Sequence, residues 1–163
     1  MSVLEDLELE RRANRHDEVL AYNLAEIYAR GFALTDACLR RSGLSPAKWN
    51  ALLMARYVGG PEGLSQHRLA ELLIVSGGNV TGLIDRLEDQ GLVERVARPG
   101  DRRVRLIRAT RRGAALIEKV WPAYLAALIG FTKPLSPAEK RQTARLLERW
   151  RKGLRKLNGG RQP

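Results

Sequence analysis

Two runs that alternate apolar and charged residues, Leu92 to Arg98 and Arg103 to Arg108, meet across "PGDR", and two short helical patterns joined through "IVSGG" stand directly before them. A period of two marks a half-buried strand, and so short a junction allows only an antiparallel hairpin. The preceding patterns are "QHRLAELL", with Ser65 able to cap its first turn, and "NVTGLIDRLEDQ", ended by Gly91 as a C-cap. Two short helices across a tight glycine-containing turn form a helix-turn-helix. Leu69, Leu72, Val80, Leu83, Ile84 and Leu87 then build a small core, and Asn79, Thr81, Gly82, Asp85 and Arg86 face solvent.

Longer helices flank this unit. From about Arg12 to Arg41 there is no proline, and Leu20, Leu24, Ile27, Gly31, Leu34 and Cys38 recur at alternating steps of four and three. Such a helix is about 45 Å long at about 1.5 Å per residue, more than a compact domain of this size covers, so the seam predicts packing on a partner chain. Ser45 and Pro46 open a second helix over about 46–57, and Leu64 adds a short strand before Ser65. Thr110 caps a fifth helix, about 111–130, which Pro122 is expected to bend or interrupt near Glu118 by removing one amide. Ser136 and Glu139 form a capping box for the last helix, along which Thr143, Leu147, Trp150, Leu154 and Leu157 make a second seam. The expectation is one domain over 1–163. The helix-turn-helix and hairpin are expected to form one lobe over 46–109, and 12–42 with 111–158 a helical dimerisation layer, joined to a second copy through Leu20, Leu24, Ile27, Leu147, Trp150 and Leu154.

Charge says what such a unit meets. A net charge of +11 points to a polyanionic partner, nucleic acid or an anionic membrane, and eight arginines against Asp101 alone between 95 and 112 make the hairpin its focus. The longest apolar stretches are broken by charged residues, so no membrane span is expected. With Cys38 the only cysteine and no leader pattern, the expected compartment is the cytoplasm. His16, His67 and Cys38 are too scattered to form a recognisable structural zinc site, no phosphate loop or nucleophile elbow occurs, and neither cofactor nor enzymatic activity is expected.

Over about residues 14–157 the chain resembles the MarR family of transcriptional regulators. The likeness is most specific at "DRRVRLIRATRRG", where Asp101, Arg103, Thr110 and Gly113 match the family's wing motif and Ala109 stands where the family usually has Leu. It extends through "LSQHRLAELLIVSGGNVTGLIDRLEDQGLVER", in which the Gly77-Gly78 pair is less usual. The resemblance implies a mainly α fold with a small β-hairpin wing, a winged helix-turn-helix flanked by a helical dimerisation layer. It implies a homodimeric, sequence-specific regulator of double-stranded DNA, a ligand-responsive repressor on an inverted-repeat operator. The helix after "IVSGG" fits the major groove, where Asn79, Thr81 and Arg86 are placed for bases or backbone and Arg86 for a bidentate contact to guanine. Arg103 is then the residue inserted in the minor groove, with Asp101 fixing its guanidinium and Arg102 beside it. Ser65, Gln66, Arg68, Ser76, Gly77, Gly78 and Gly82 complete the candidate DNA-binding set.

Other readings compete. Arg105 and Arg108 are explained by alternation alone as the solvated face of a strand, with DNA contact as the alternative. Cys38 is a packed thiol on the seam or a redox sensor; the family's peroxide-sensing branch has its cysteine nearer the start of the long helix. The resemblance also implies a cleft for a small aromatic or anionic effector, for which Tyr28, Trp49, Arg56 and Tyr57 are candidates beside Tyr22, Phe32, Trp121 and Tyr124, any of which equally fills core volume. An architectural DNA-coating protein with little sequence preference is the alternative function.

Overall fold

A computed structural model describes residues 15–73, 77–98 and 100–157. Helix α1 (Arg15–Arg40) leads into α2 (Pro46–Leu53), whose last turn widens to π-helical spacing over Met54–Val58. Strand β1 (Leu64–Ser65) precedes α3 (Gln66–Leu72) and α4 (Gly77–Asp89), then β2 (Val93–Arg98) and β3 (Asp101–Ala109) form the hairpin, and α5 (Arg111–Phe131) and α6 (Pro137–Leu157) complete the chain. The first helix is described only from Arg15, so Arg12 to Asn14 lie outside the described residues, as do the side chains of Phe32 and Leu157.

The predicted caps are formed. Ser45 accepts from the Lys48 amide at 3.3 Å, Ser65 from Arg68 at 3.1 Å and Thr110 from Gly113 at 3.0 Å, each satisfying an amide that the first turn leaves without a partner. At the end of α4, Gly91 takes φ +65°; its amide donates to the Glu88 carbonyl at 2.7 Å and that of Leu92 to the Leu87 carbonyl at 2.9 Å. This paired closure turns the chain straight into β2. The sheet has the order β1-β3-β2, all antiparallel, with Leu64 opposite Ile107 and Val96 opposite Leu106. The short strand at Leu64 therefore pairs with the outer side of the hairpin.

One core joins the lobe to the terminal helices. Trp49, Leu52, Leu69, Val80, Ile84 and Ile107 are fully or almost fully buried, together with Leu39 from α1 and Ile117 and Val120 from α5. Leu72, expected in this core, is only partly buried at its edge. Gly113 is the tightest joint: a Cβ there would lie 2.1 Å from the Leu92 carbonyl oxygen. The Thr110 amide and hydroxyl hold the same corner, donating to the Leu92 carbonyl at 3.1 Å and the Gly91 carbonyl at 2.7 Å.

Two expectations about α5 are corrected. Pro122 does not interrupt it; the helix runs unbroken from Arg111 to Phe131. Pro122 and Glu118 are both exposed, so water can satisfy the carbonyl that the missing amide leaves free. By length and composition α5 is also apolar enough to cross a bilayer, contrary to the expectation that no segment is. Of its apolar residues, Gly113, Ile117 and Val120 are buried in the core while Trp121, Leu125 and Ile129 are exposed, and α5 packs along α1.

Helix α6 differs from all the others. From Pro137 to Leu154 every residue but Lys140 is exposed, including Leu147, Trp150 and Leu154. Leu20, Leu24, Ile27 and Leu34 of the first seam are likewise exposed in the single chain, and Cys38 is half-buried at its end. The capping box of α6 is closed in both directions, Ser136 N–H to Glu139 at 2.7 Å and Glu139 N–H to Ser136 Oγ at 3.3 Å. The hydrogen bonds from Ser136 hold the Glu139 carboxyl below its ordinary 4.5. A depressed carboxylate pKa stabilises the helix fully above the ordinary value and is lost as pH falls through the folded one. Helicity of α6 is thus expected to fall on acidification below about pH 4.5. Glu139→Gln should flatten that step in circular dichroism.

Candidate nucleic-acid interface

The exposed face of α4 carries Asn79, Thr81, Asp85 and Arg86, as the pattern predicts. Gly82 is half-buried rather than solvent-facing, because the Arg86 guanidinium lies back along the helix over it, with Nη1 3.3 Å from where a Cβ would stand. Thr81 accepts from Gln66 Nε2 at 2.6 Å, so the start of α3 and the exposed face of α4 present one surface. Arg68 is turned toward Glu71 at 2.7 Å, within α3. Ser65 spends its oxygen on the cap and is half-buried. Gly77 and Gly78 form the first turn of α4, which starts two residues earlier than predicted. Ser76 and the side chains of Arg102 and Arg103 lie outside the described residues.

The arginines of the hairpin divide into two groups. Arg95 bonds Asp85 at 2.5 Å and Glu88, both on α4, and its backbone amide donates to Glu88 at 3.1 Å. Hydrogen bonding to Asp85 raises its pKa, partial burial opposes this and the Glu88 charge adds to it, so Arg95 is a fixed cation clamping β2 to α4. Arg108 faces Glu94 across the strands, with Nη2 at 2.8 Å, and donates to the Pro61 carbonyl at 3.1 Å. These two belong to the scaffold, and alternation with a cross-strand partner accounts for Arg108. Arg105 is exposed, and Arg98 and Asp101 pair in register at the tip beside Gly100, whose φ of +82° makes the turn. Pairing cost the sequence reading Arg95: Asp85 and Glu88, ten and seven residues earlier, gave the only signal.

A cavity of about 530 Å³ opens between α1, α2, α4 and α5. Tyr28 and Trp49 line it, joined by Tyr124, Phe131, Thr35 and Asn50. Arg56 and Tyr57 do not; both are exposed in the widened turn of α2, about 9 Å along the axis from Asn50. Tyr22 and Trp121 are also absent from its wall, Trp121 packing instead on Trp49 and Tyr124 at ring-centroid separations of 6.3 and 6.1 Å. Phe131 was missed in the sequence because it is brought to the wall only by the bare backbone of Gly31, where a Cβ would lie 2.9 Å from its ring.

A family model described as MarR family matches residues 42–104, which include the helix-turn-helix and most of the hairpin. The HTH-type transcriptional regulator YkoM of Bacillus subtilis is 31% identical over 140 residues, covering 83% of this chain and 89% of its own. The chain belongs to the MarR family. PecS of Dickeya dadantii, another HTH-type transcriptional regulator, is 30% identical over 73% of this chain and 72% of its own. Among solved structures, CouR of Rhodococcus jostii bound to p-coumaroyl-CoA superposes with a TM-score of 0.73 at 26% identity, covering 79% of this chain and 89% of that one. BpsR of Bordetella bronchiseptica, whose DNA binding is regulated by 6-hydroxynicotinic acid, gives 0.71 at 25% identity, covering 80% and 91%.

As a member of the MarR family the chain is a DNA-binding transcriptional regulator with a winged helix-turn-helix fold. Of the four residues that match the family's wing motif, the three besides Arg103, whose side chain lies outside the described residues, serve different ends here. Thr110 and Gly113 lock the corner between β2 and α5, whereas Asp101 stands at the exposed tip. Gly82 on α4 gives an expected result of opposite signs. Gly82→Ala removes backbone freedom from the unfolded chain and should stabilise the lobe by about 0.5–1 kcal/mol in urea unfolding. It also pushes the Arg86 guanidinium off the helix, so DNA affinity should fall in the same variant while stability rises.

Proposed function

We propose that the protein is a homodimeric repressor that binds an inverted-repeat operator and is released by a small effector held in the cavity beside Trp49. The observation that carries the dimer is α6, an amphipathic helix of 21 residues whose apolar row is left exposed by the described residues of its own chain. An exposed row of Leu147, Trp150 and Leu154 beside the exposed seam of α1 is what two copies related by a two-fold axis cover. Two α4 helices so related read half-sites about one helical turn apart. Asn79, Thr81 and Arg86 meet the major groove, and Arg102 and Arg103 at the hairpin tip meet the minor groove. Arg95 and Arg108 take no part, being paired within the lobe.

The relatives CouR and BpsR support an effector, since one is solved with p-coumaroyl-CoA and the other is regulated by 6-hydroxynicotinic acid. Selection of bound fragments from the source genome, followed by footprinting, tests the reading directly. Protection of two symmetric half-sites is expected, and binding that random DNA competes away equally well leaves only an architectural coating role. On that operator Arg103→Ala should cost about 1–3 kcal/mol per half-site and Arg105→Ala a few tenths. Equal losses in the two isotherms at one salt concentration would mean that the tip acts only as diffuse charge.

A further inference from the structure

The last helix carries charge that the operator contact leaves unused. Between Pro137 and Leu157 stand eight Lys and Arg against Glu139 and Glu148 alone. Glu139 closes the cap at Ser136, and Glu148 is held by Arg151 at 2.8 Å and by Lys152 at 3.4 Å. Arg141, Arg145 and Arg149 are exposed, and among the described residues no acid pairs with any of them. Four residues apart, they form a nearly straight row on one face, each about 6 Å along the axis from the next. Helix α1 treats the same spacing the other way: Glu26 pairs with Arg30 and Asp36 with Arg40, each at 2.6 Å. Like charges at that spacing destabilise a helix, so the row works against α6 unless a polyanion lies along it. We propose that this row is a second phosphate-binding surface, which takes the backbone of a stretch of duplex DNA other than the one met by α4 and the hairpin.

Geometry and charge choose the occupant. Trp150 lies nine residues from Arg141 and Leu154 nine from Arg145, about two and a half turns, so the arginines stand on the side of α6 opposite its apolar row. A helix resting on lipid sinks its apolar row, and these arginines would then point away from the headgroups. The same geometry leaves them in water when a second copy covers the apolar row. A protein surface mixes both signs of charge, whereas a duplex carries one negative charge per about 1.7 Å of axis, and a guanidinium fork meets phosphate through two bonds. Helix α5 starts at the corner with the lobe and runs about 30 Å to Phe131 before α6 begins, which sets the row on a different part of the molecule from the base of the hairpin. The proposal needs the DNA binding of the family but not the dimer.

Capture of one duplex by another tests this on the full-length protein. An immobilised random-sequence duplex of about 40 base pairs, several times the roughly 10 between half-sites, is loaded with protein and offered a fluorescent second duplex at about 0.15 M salt. The protein is expected to hold the second duplex, and the triple variant Arg141→Gln, Arg145→Gln, Arg149→Gln should hold at least tenfold less. Its affinity for the first duplex should change less than twofold, because exposed charges more than about 8 Å away are largely screened at that salt. Glutamine keeps the helix propensity of arginine, so circular dichroism and sedimentation should match the parent. Arg145→Gln alone should lower the log–log salt slope of the second capture by about 0.9, one phosphate's share. Equal capture by parent and triple variant, no capture by either, or equal losses for both duplexes each overturn the proposal. Binding to phosphatidylserine vesicles that depends on the row, without capture of DNA, overturns it in favour of lipid. Competition by polyglutamate as strong as by duplex at equal charge overturns it in favour of a surface for any polyanion.

Discussion

Gly113→Ala is expected to destabilise the protein by about 2–3 kcal/mol, lowering the thermal midpoint by about 5–10 °C. The added methyl would stand 2.1 Å from the Leu92 carbonyl oxygen, far inside contact distance. Neither side can yield cheaply. Leu92 is held by its own amide in the closure of α4 and by the Thr110 amide on its carbonyl, and α5 is fixed by Ile117 and Val120 in the core. The gain in helix propensity from glycine to alanine, about 1 kcal/mol at most, does not offset that overlap. Because this corner joins the lobe to the terminal helices, chemical unfolding should remain a single transition at lower midpoint. A variant as stable as the parent would show that the corner has slack.

Leu154→Asp is expected to give a monomer that folds normally and loses at least a thousandfold in operator affinity. Leu154 is 45% exposed on α6 and meets no core residue, so the charge costs the isolated chain little. In the proposed dimer it lies on the row with Leu147 and Trp150, where an unpaired carboxylate is buried against a partner. Half of the DNA contacts and the two-fold register then go together. Sedimentation and unfolding on one preparation separate the two effects. A dimer that persists, or a monomer that still binds tightly, removes α6 from the assembly.

Most of the lobe was legible because short-range rules decide it. Ser45, Ser65, Thr110, Gly91 and the pair Ser136 and Glu139 cap helices through groups within a few residues, so chain position alone fixes the chemistry. The exposed face of α4 followed from its period for the same reason. What was not legible depends on groups brought together over distance. Arg95 reads as one more cation of a basic hairpin until α4 brings Asp85 and Glu88 beside it. Arg56 reads as one helical row with Trp49 until the widened turn of α2 and the length of the helix carry it away from the cavity. Pro122 reads as a break until its surroundings prove exposed enough to hydrate the freed carbonyl. The wall of the cavity needs Gly31 and Phe131, a hundred residues apart, and no local pattern announces such a pair.

The clamp of Arg95 on Asp85 and Glu88 bears on what regulation can alter. It makes the hairpin an outrigger of α4: whatever tilts the helix carries the tip with it. On the proposed operator, the distance between the bases met by α4 and the groove edge met by the hairpin is then built into each half-site, like the span of a caliper whose arms have been set. In the proposed dimer, an effector in the cavity would act behind this piece, where Trp49 of α2 packs on Tyr124 of α5, and would change how far apart the two calipers stand. Induction by that route is expected to weaken the hold on every operator sequence alike and to leave the ranking of sequences untouched.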